Sequence, residues 1–164
     1  MALLYFKKGT KVQNLIHHLK YKGQTDVGLM LGRMIGEKLL SNTLYQKADL
    51  IVPVPLHQKK ENSRGYNQSK CIADGIAEVL QVPVVTGLLT RKKNTGTQTK
   101  KSRYHRFENV QSVFEICQTW ELENQHVLLI DDVITTGATL EACGKILLDS
   151  GLTKLSIAAA AYAE

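Results

Sequence analysis

Residues 127–139 read Val-Leu-Leu-Ile-Asp-Asp-Val-Ile-Thr-Thr-Gly-Ala-Thr. Val127 to Ile130 is apolar at every position, the pattern of a parallel strand buried on both faces, and it runs into Asp131 and Asp132. Open α/β sheets bind their ligands at that end of the strand. Thr135, Thr136, Gly137, Ala138 and Thr139 then make a small, hydroxyl-rich turn, whose glycine lets the backbone curl so that several N–H groups converge on one anion. Residues 140–150 have a helical pattern, so the turn falls at a helix N-terminus, where unpaired N–H groups and the dipole favour phosphate. Carboxylates for hydroxyls or a metal, set beside a phosphate cradle, describe a sugar-phosphate site.

Working outward, residues 155–162 give a further strand after that helix, with Gly151 predicted as the helix C-cap. Upstream, residues 49–55 form a short apolar strand ended by Pro53 and Pro55, and residues 66–80 return to helical periodicity, with Asn67 as a candidate cap. Strand, helix, strand, helix, strand predicts a parallel α/β sheet. Residues 82–85 and 112–116 are β-branched segments expected to be two strands joined by a long loop. Val12, Leu15, Ile16 and Leu19 have helical spacing that leaves Lys11, Gln13, Asn14 and Lys20 toward water. Asp26 is expected to cap a second helix reaching residue 40, where Gly28, Gly32 and Gly36 recur every four residues and so mark one face for close packing.

The composition fits one globular domain. At 164 residues the chain is long enough to bury a core without disulfides or structural metal, and 43% hydrophobic with 22% charged residues is ordinary for a soluble protein. No apolar run approaches the roughly 18 residues of a membrane span, and Lys7-Lys8-Gly9 interrupts residues 2–6 too early for a signal peptide. A cytoplasmic protein without membrane insertion is the expectation. Cys71, Cys117 and Cys143 lack Cys-x-x-Cys spacing and read as ordinary thiols.

The net charge of +6 suits an anionic ligand, and its distribution is more telling. Arg91, Lys92, Lys93, Lys100, Lys101, Arg103 and Arg106 occur with no acidic residue among them, inside a stretch, 91–110, that is long for a connecting loop. It reads either as a solvated insertion or as a cationic lid over a polyanion. In the loop after residues 51–57, Pro55 fixes a backbone whose N–H groups suit a pyrophosphate, and Arg64 supplies a guanidinium for bidentate contact with phosphate oxygens.

Taken together these segments resemble a type I phosphoribosyltransferase, and specifically its competence-protein ComF-like branch. Residues 127–139 carry the superfamily resemblance. The branch resemblance rests on Val52-Pro53-Val54-Pro55-Leu56-His57, on Arg64-Gly65-Tyr66-Asn67-Gln68, on Gln98-Thr99 with Arg103, Arg106 and Glu108-Asn109-Val110, and on residues 15–23 with their Leu-Lys-Tyr-Lys-Gly ending. Many such proteins begin with a cysteine-rich zinc-binding segment; this sequence begins immediately before the helix that would follow it, as either a naturally short member or a truncated chain would.

The resemblance implies a parallel-sheet α/β core, about residues 46–164, under an N-terminal helical hood, about residues 1–45, with a long flexible loop. It implies that Asp131 and Asp132 contact the ribose 2′ and 3′ hydroxyls of phosphoribosyl pyrophosphate, near a Mg²⁺ carried by the diphosphate rather than held directly by the protein. Thr135, Thr136, Gly137, Ala138 and Thr139 would hold the 5′-phosphate, and Pro55, Leu56 and His57 the pyrophosphate. Arg91, Lys93, Gln98, Thr99, Lys100, Arg103 and Arg106 would belong to the closing loop, with Arg64 and Arg103 as catalytic cations beside the aspartates. The implied chemistry is displacement of pyrophosphate from the anomeric carbon by an acceptor that the sequence does not identify. A homodimer is allowed.

Other readings fit less well. A receiver domain needs more chain than the 32 residues after Asp132, and no Gly-x-x-x-x-Gly-Lys-Ser/Thr loop is present. A glutaminase half would need an N-terminal nucleophilic cysteine, whereas the chain starts Met1-Ala2-Leu3. His17 and His18 fit a helical surface better than a metal site. The alternative of a different class is a non-catalytic accessory protein linked to DNA uptake, binding single-stranded DNA or a DNA-translocating partner. Tyr104, His105 and Phe107 are the only aromatic residues interleaved with the basic stretch, which makes nucleic acid the weaker reading.

Overall fold

The computed structural model describes residues 1–7, 9–42, 48–91, 113–116 and 121–163. Four parallel strands make the central sheet in the order β1 (Ala2–Phe6), β6 (Lys154–Ala163), β5 (His126–Ile134), β2 (Leu50–Pro53). Val84 adds a single parallel bridge to Ile51 on the outer side of β2. The expected strand at 82–85 is therefore reduced to one bridge. The strand expected at 112–116 is present as β4 (Phe114–Ile116), which forms a separate antiparallel pair with β3 (Leu89–Arg91). Residues 2–6, interrupted too early for a signal peptide, form the edge strand β1, recognisable only once β6 is there to pair with it.

Side chains of β5 alternate between two cores, as pleating requires. Leu128 and Ile130 face α1 (Lys11–Tyr21), α2 (Thr25–Leu40) and α4 (Gln68–Leu80), through Ile16, Leu19, Leu31, Ile35, Ile72 and Ile76. Val127 and Leu129 face α5 (Ala138–Asp149) and the β3–β4 pair, through Leu140, Cys143, Leu147, Leu89 and Phe114. Burial on both sides is why this strand reads as an unbroken apolar run. Ala158 to Ala161 on β6 are also fully buried, small side chains beneath the packed helices.

The glycine face of α2 behaves as its spacing predicts, seated directly on α4. A Cβ on Gly32 would strike the carbonyl oxygen of Ile72, and one on Gly28 would come to 2.6 Å from the Cβ of Cys71. Three local expectations shift. Asp26 lies inside the first turn of α2, and Gln24 occupies the cap position. Ser150 is the C-cap of α5, with Gly151 following at φ +90°, the left-handed conformation glycine tolerates. The segment after β2 contains a short helix, α3 (Gln58–Arg64), where a loop was expected.

Because α4 follows β2 and α5 follows β5 on opposite faces, the chain winds away in both directions from the β2–β5 boundary. A crevice opens at such a switch point, outside the carboxyl ends of the strands. Among the described residues no helix is long and apolar enough to cross a membrane.

Candidate functional site

Strand β5 outlasts its neighbour. Pairing with β2 stops at Pro53 opposite Ile130, while pairing with β6 continues through Asp131, Val133 and Ile134. The aspartates expected where the strand ends lie within it, along the part that has lost β2. A cleft of about 590 Å³ occupies that place, lined at the strand ends by Phe6, Pro55, Asp131 and Ala163.

The two carboxylates have different surroundings. Asp131 Oδ1 accepts from the Ser69 hydroxyl at 3.1 Å and from the Asp132 N–H at 2.8 Å. Burial pushes the Asp131 carboxyl from 3.8 up to about 6; the charge of Asp132 pushes the same way, while the two hydrogen bonds and Lys20 pull it back. Asp132 Oδ2 meets Lys20 Nζ at 2.9 Å, with both side chains largely covered. Lys20 was expected to face water. The last turns of α1 lie over the cleft instead, an arrangement that helical periodicity cannot reveal. Beneath the pair, burial and Asp131 hold the Cys143 thiol up to about 12, so it stays protonated and is no nucleophile. Cys71 and Cys143 are both free and buried, as expected of ordinary thiols, and Cys117 lies outside the described residues.

Thr135, Thr136, Gly137, Ala138 and Thr139 line a cup of about 30 Å³ at the N-terminus of α5. Gly137 caps that helix at φ +78°, and the Thr136 hydroxyl accepts from the Ala138 N–H at 3.4 Å. Small side chains, a hydroxyl-rich rim and the first turn of a twelve-residue helix suit one phosphate group.

Across the cleft stand Pro55, Leu56 and Arg64. His57 is turned to another task, its Nδ1 accepting from the Lys59 N–H at 3.2 Å to cap α3. Asn67 caps α4 as expected, accepting from the Ser69 N–H at 3.0 Å and donating to the Val54 carbonyl at 3.0 Å, which ties the helix to the loop after β2. Arg64 donates to Gln68 Oε1 at 2.6 Å, and its guanidinium lies 5.1 Å from the centre of the Tyr21 ring. Arg91, expected to begin a loop, ends β3; it lines the cleft and sits 5.4 Å from the Phe114 ring centre. Lys93, Gln98, Thr99, Lys100, Arg103 and Arg106 lie outside the described residues.

The residues that sequence reasoning missed are Lys20, Ser69, and the cleft-lining Gln13, His17 and Tyr21. Ser69 had a detectable signal: together with Asn67 and Gln68 it forms a polar run entering an apolar helix, and all three are buried. Among the described residues no third His, Cys, Asp or Glu joins the aspartate pair in a metal-binding group. Two carboxylates, one of them engaged by Lys20, do not make a cage for a resident ion. They do suit a Mg²⁺ that arrives on a ligand's oxygens and keeps its waters.

Comparison with known proteins agrees with this geometry. The phosphoribosyl transferase domain model matches residues 67–164, more than half of the chain. The DNA utilization protein YhgH of Escherichia coli K12 is 30% identical over 146 residues, covering 87% of this chain and 63% of that protein. Competence protein F of Haemophilus influenzae is 29% identical over 147 residues, with 87% and 64% covered. The chain therefore spans less than two thirds of the length of these relatives. Among solved structures, the Bacillus subtilis glutamine phosphoribosylpyrophosphate amidotransferase superposes with a TM-score of 0.57 at 21% identity, over 87% of this chain and 30% of that one. The purine phosphoribosyltransferase of Pyrococcus horikoshii gives 0.52 at 21%, over 85% and 73%. Sheet, crevice and sequence agree: the chain belongs to the type I phosphoribosyltransferase family, in the ComF-like branch that holds these competence and DNA utilization proteins.

Proposed function

We propose that the chain binds phosphoribosyl pyrophosphate with Mg²⁺ and transfers the phosphoribosyl group to a nucleophilic acceptor, releasing pyrophosphate. The observation that carries this reading is the pairing of Asp131 and Asp132 with the α5 cup on one strand and turn, across a cleft from Pro55, Leu56 and Arg64. In this reading the cup holds the 5′-phosphate, the carboxylates accept from the ribose hydroxyls, and the loop after β2 with Arg64 faces the diphosphate. The N-terminal helices α1 and α2 serve as hood, and the expected hood–core division near residue 45 is corrected by β1, which precedes them and belongs to the core sheet.

Departure of pyrophosphate leaves positive charge on the ribose ring, so the leaving group needs stabilising and water must be kept away. Mg²⁺, when bound, neutralises charge on the departing diphosphate. Arg64 adds a fixed guanidinium, oriented by Tyr21 and Gln68 before any ligand arrives. Asp131 and Asp132 orient the sugar, and Lys20 holds Asp132 in position. Calorimetric titration with phosphoribosyl pyrophosphate and Mg²⁺ tests the assignment. Micromolar to millimolar binding is expected for the wild type and loss of about tenfold or more for Asp131→Asn/Asp132→Asn. Equal affinities would refute it.

The names of the relatives favour a second reading, in which the chain serves DNA uptake or use through the same ligand site, without turnover or with single-stranded DNA or a DNA-translocating partner bound. Sequence-independent DNA binding that falls steeply with salt would support it. No binding at low salt would remove the DNA arm.

A further inference from the structure

A second cavity, of about 450 Å³, adjoins the main cleft and is lined by Lys20, Tyr21, Gly23, Lys60, Ser63, Arg64 and Tyr66. Lys20, Tyr21, Lys60 and Arg64 line both spaces, so the two share a wall. Lys20 marks how close they are, since the same side chain reaches Asp132 at 2.9 Å.

The chemistry of this annex is one-sided. Its wall carries three cations and no carboxylate. Of the cations, Lys20 alone has an acidic partner among the described residues. Lys60 and Arg64 stand four residues apart on α3, on the same face. Among the described residues Arg64 is held by neutral groups, the Gln68 amide oxygen and the Tyr21 ring, which orient the guanidinium without neutralising it. The aromatic walls are fixed in turn: the Tyr66 hydroxyl donates to the Leu19 carbonyl at 2.5 Å, and Tyr21, 64% exposed, packs its ring 4.9 Å from that of His17. In the adjoining main cleft, outside the annex, Gln68, only 2% exposed, has an amide nitrogen with no acceptor among the described residues. Buried donors without an acceptor are rare and costly.

We propose that this annex is the acceptor subsite and that it selects an acceptor bearing a carboxylate or phosphate group, gripped by Lys60 against the ring of Tyr21, while Arg64 on the shared wall stays with the donor's diphosphate. The proposal rests on the phosphoribosyl-transfer reading above. In the step it serves, a lone pair on the acceptor forms a bond to the anomeric carbon. The bond from that carbon to pyrophosphate breaks, its electron pair leaves with the pyrophosphate, and the acceptor's proton passes to the departing pyrophosphate or to water. A neutral nucleobase would leave Lys60 uncompensated, so the same wall discriminates against it.

The test separates the annex from the donor site. Benzoate, phenyl phosphate and neutral benzamide are titrated by NMR against the full chain saturated with phosphoribosyl pyrophosphate and Mg²⁺, in the wild type and in the exposed-site variant Lys60→Gln. At least one of the two anions is expected to bind and to weaken about five- to tenfold in the variant, with benzamide weak in both. Preference for benzoate or for phenyl phosphate tells carboxylate from phosphate recognition. Binding of neither anion, equal binding of benzamide, or anion affinity unchanged by Lys60→Gln overturns the proposal. Donor binding is measured separately: if phosphoribosyl pyrophosphate itself fails to bind, the transfer reading falls, while the anion titration on the free protein still reports whether the annex is a site.

Discussion

Asp131 is destabilising in the folded protein, and the cost is measurable. The fold keeps its proton up to about pH 6, whereas the unfolded chain releases it near 3.8. Its contribution to stability is therefore intact below about pH 4, declines as pH rises through about 6, and is missing at neutral pH. Asp131→Asn should raise stability at pH 7.5 by about 2–3 kcal/mol, with the gain vanishing near pH 4, as read by urea titration at the two pH values. A variant no more stable at pH 7.5 than at pH 4, relative to wild type, would contradict the burial argument. Ser69 works in the opposite direction, since its hydroxyl favours the ionised form. Ser69→Ala should move the Asp131 titration to higher pH, observable in the carboxyl carbon shift. The carboxylates themselves were legible in the sequence, because adjacent acids after an apolar strand need a partner. Their partners were not. Lys20 lies 112 positions upstream and Ser69 lies 62 upstream of the residues they contact, and no local pattern encodes such a meeting.

At the scale of elements, the helices and the β5–α5 unit could be read from periodicity because each obeys one period along its whole length. The weaker elements are those whose existence depends on a distant partner: β1 requires β6, and β3 requires β4. Helix α3 was hidden because its seven residues bury none of their side chains and so show no apolar stripe. The α2–α4 seam was legible in outline, and the structure adds its tolerance, which is close to zero. Gly32 and Gly75 face each other, with a Cβ on Gly32 coming to 2.9 Å from the Gly75 Cα. Gly32→Ala should cost about 3 kcal/mol or more, since backbone on both sides must separate, and thermal unfolding will show it. Gly65→Ala is a useful contrast: nothing stands near its Cβ, so its penalty comes from a φ of +81° rather than from crowding. An undiminished melting temperature in Gly32→Ala would mean the two helices are not in this register.

Across the whole molecule, the sheet separates a cradle on β5 and α5 from a wall on α1 and α3. Ligand bound between them should tie these parts together. Hydrogen exchange is expected to slow in the last turns of α1 when phosphoribosyl pyrophosphate and Mg²⁺ are added, and this protection should be reduced in Lys20→Met. Exchange in α1 that ignores the ligand would show that the helix takes no part in binding.

Among the described residues, a single ion pair, Lys20 with Asp132, joins the polar chemistry of α1 to the aspartate motif. Cradle and wall are thus nearly independent parts of one gene product. If the transfer reading holds, substitutions on the exposed faces of α1 and α3 should change what is recognised without disturbing the donor site, so long as cations remain at positions 20 and 64. On the same reading, a library confined to those two helices, with Lys20 and Arg64 kept, would search for new acceptors while the donor site stays constant.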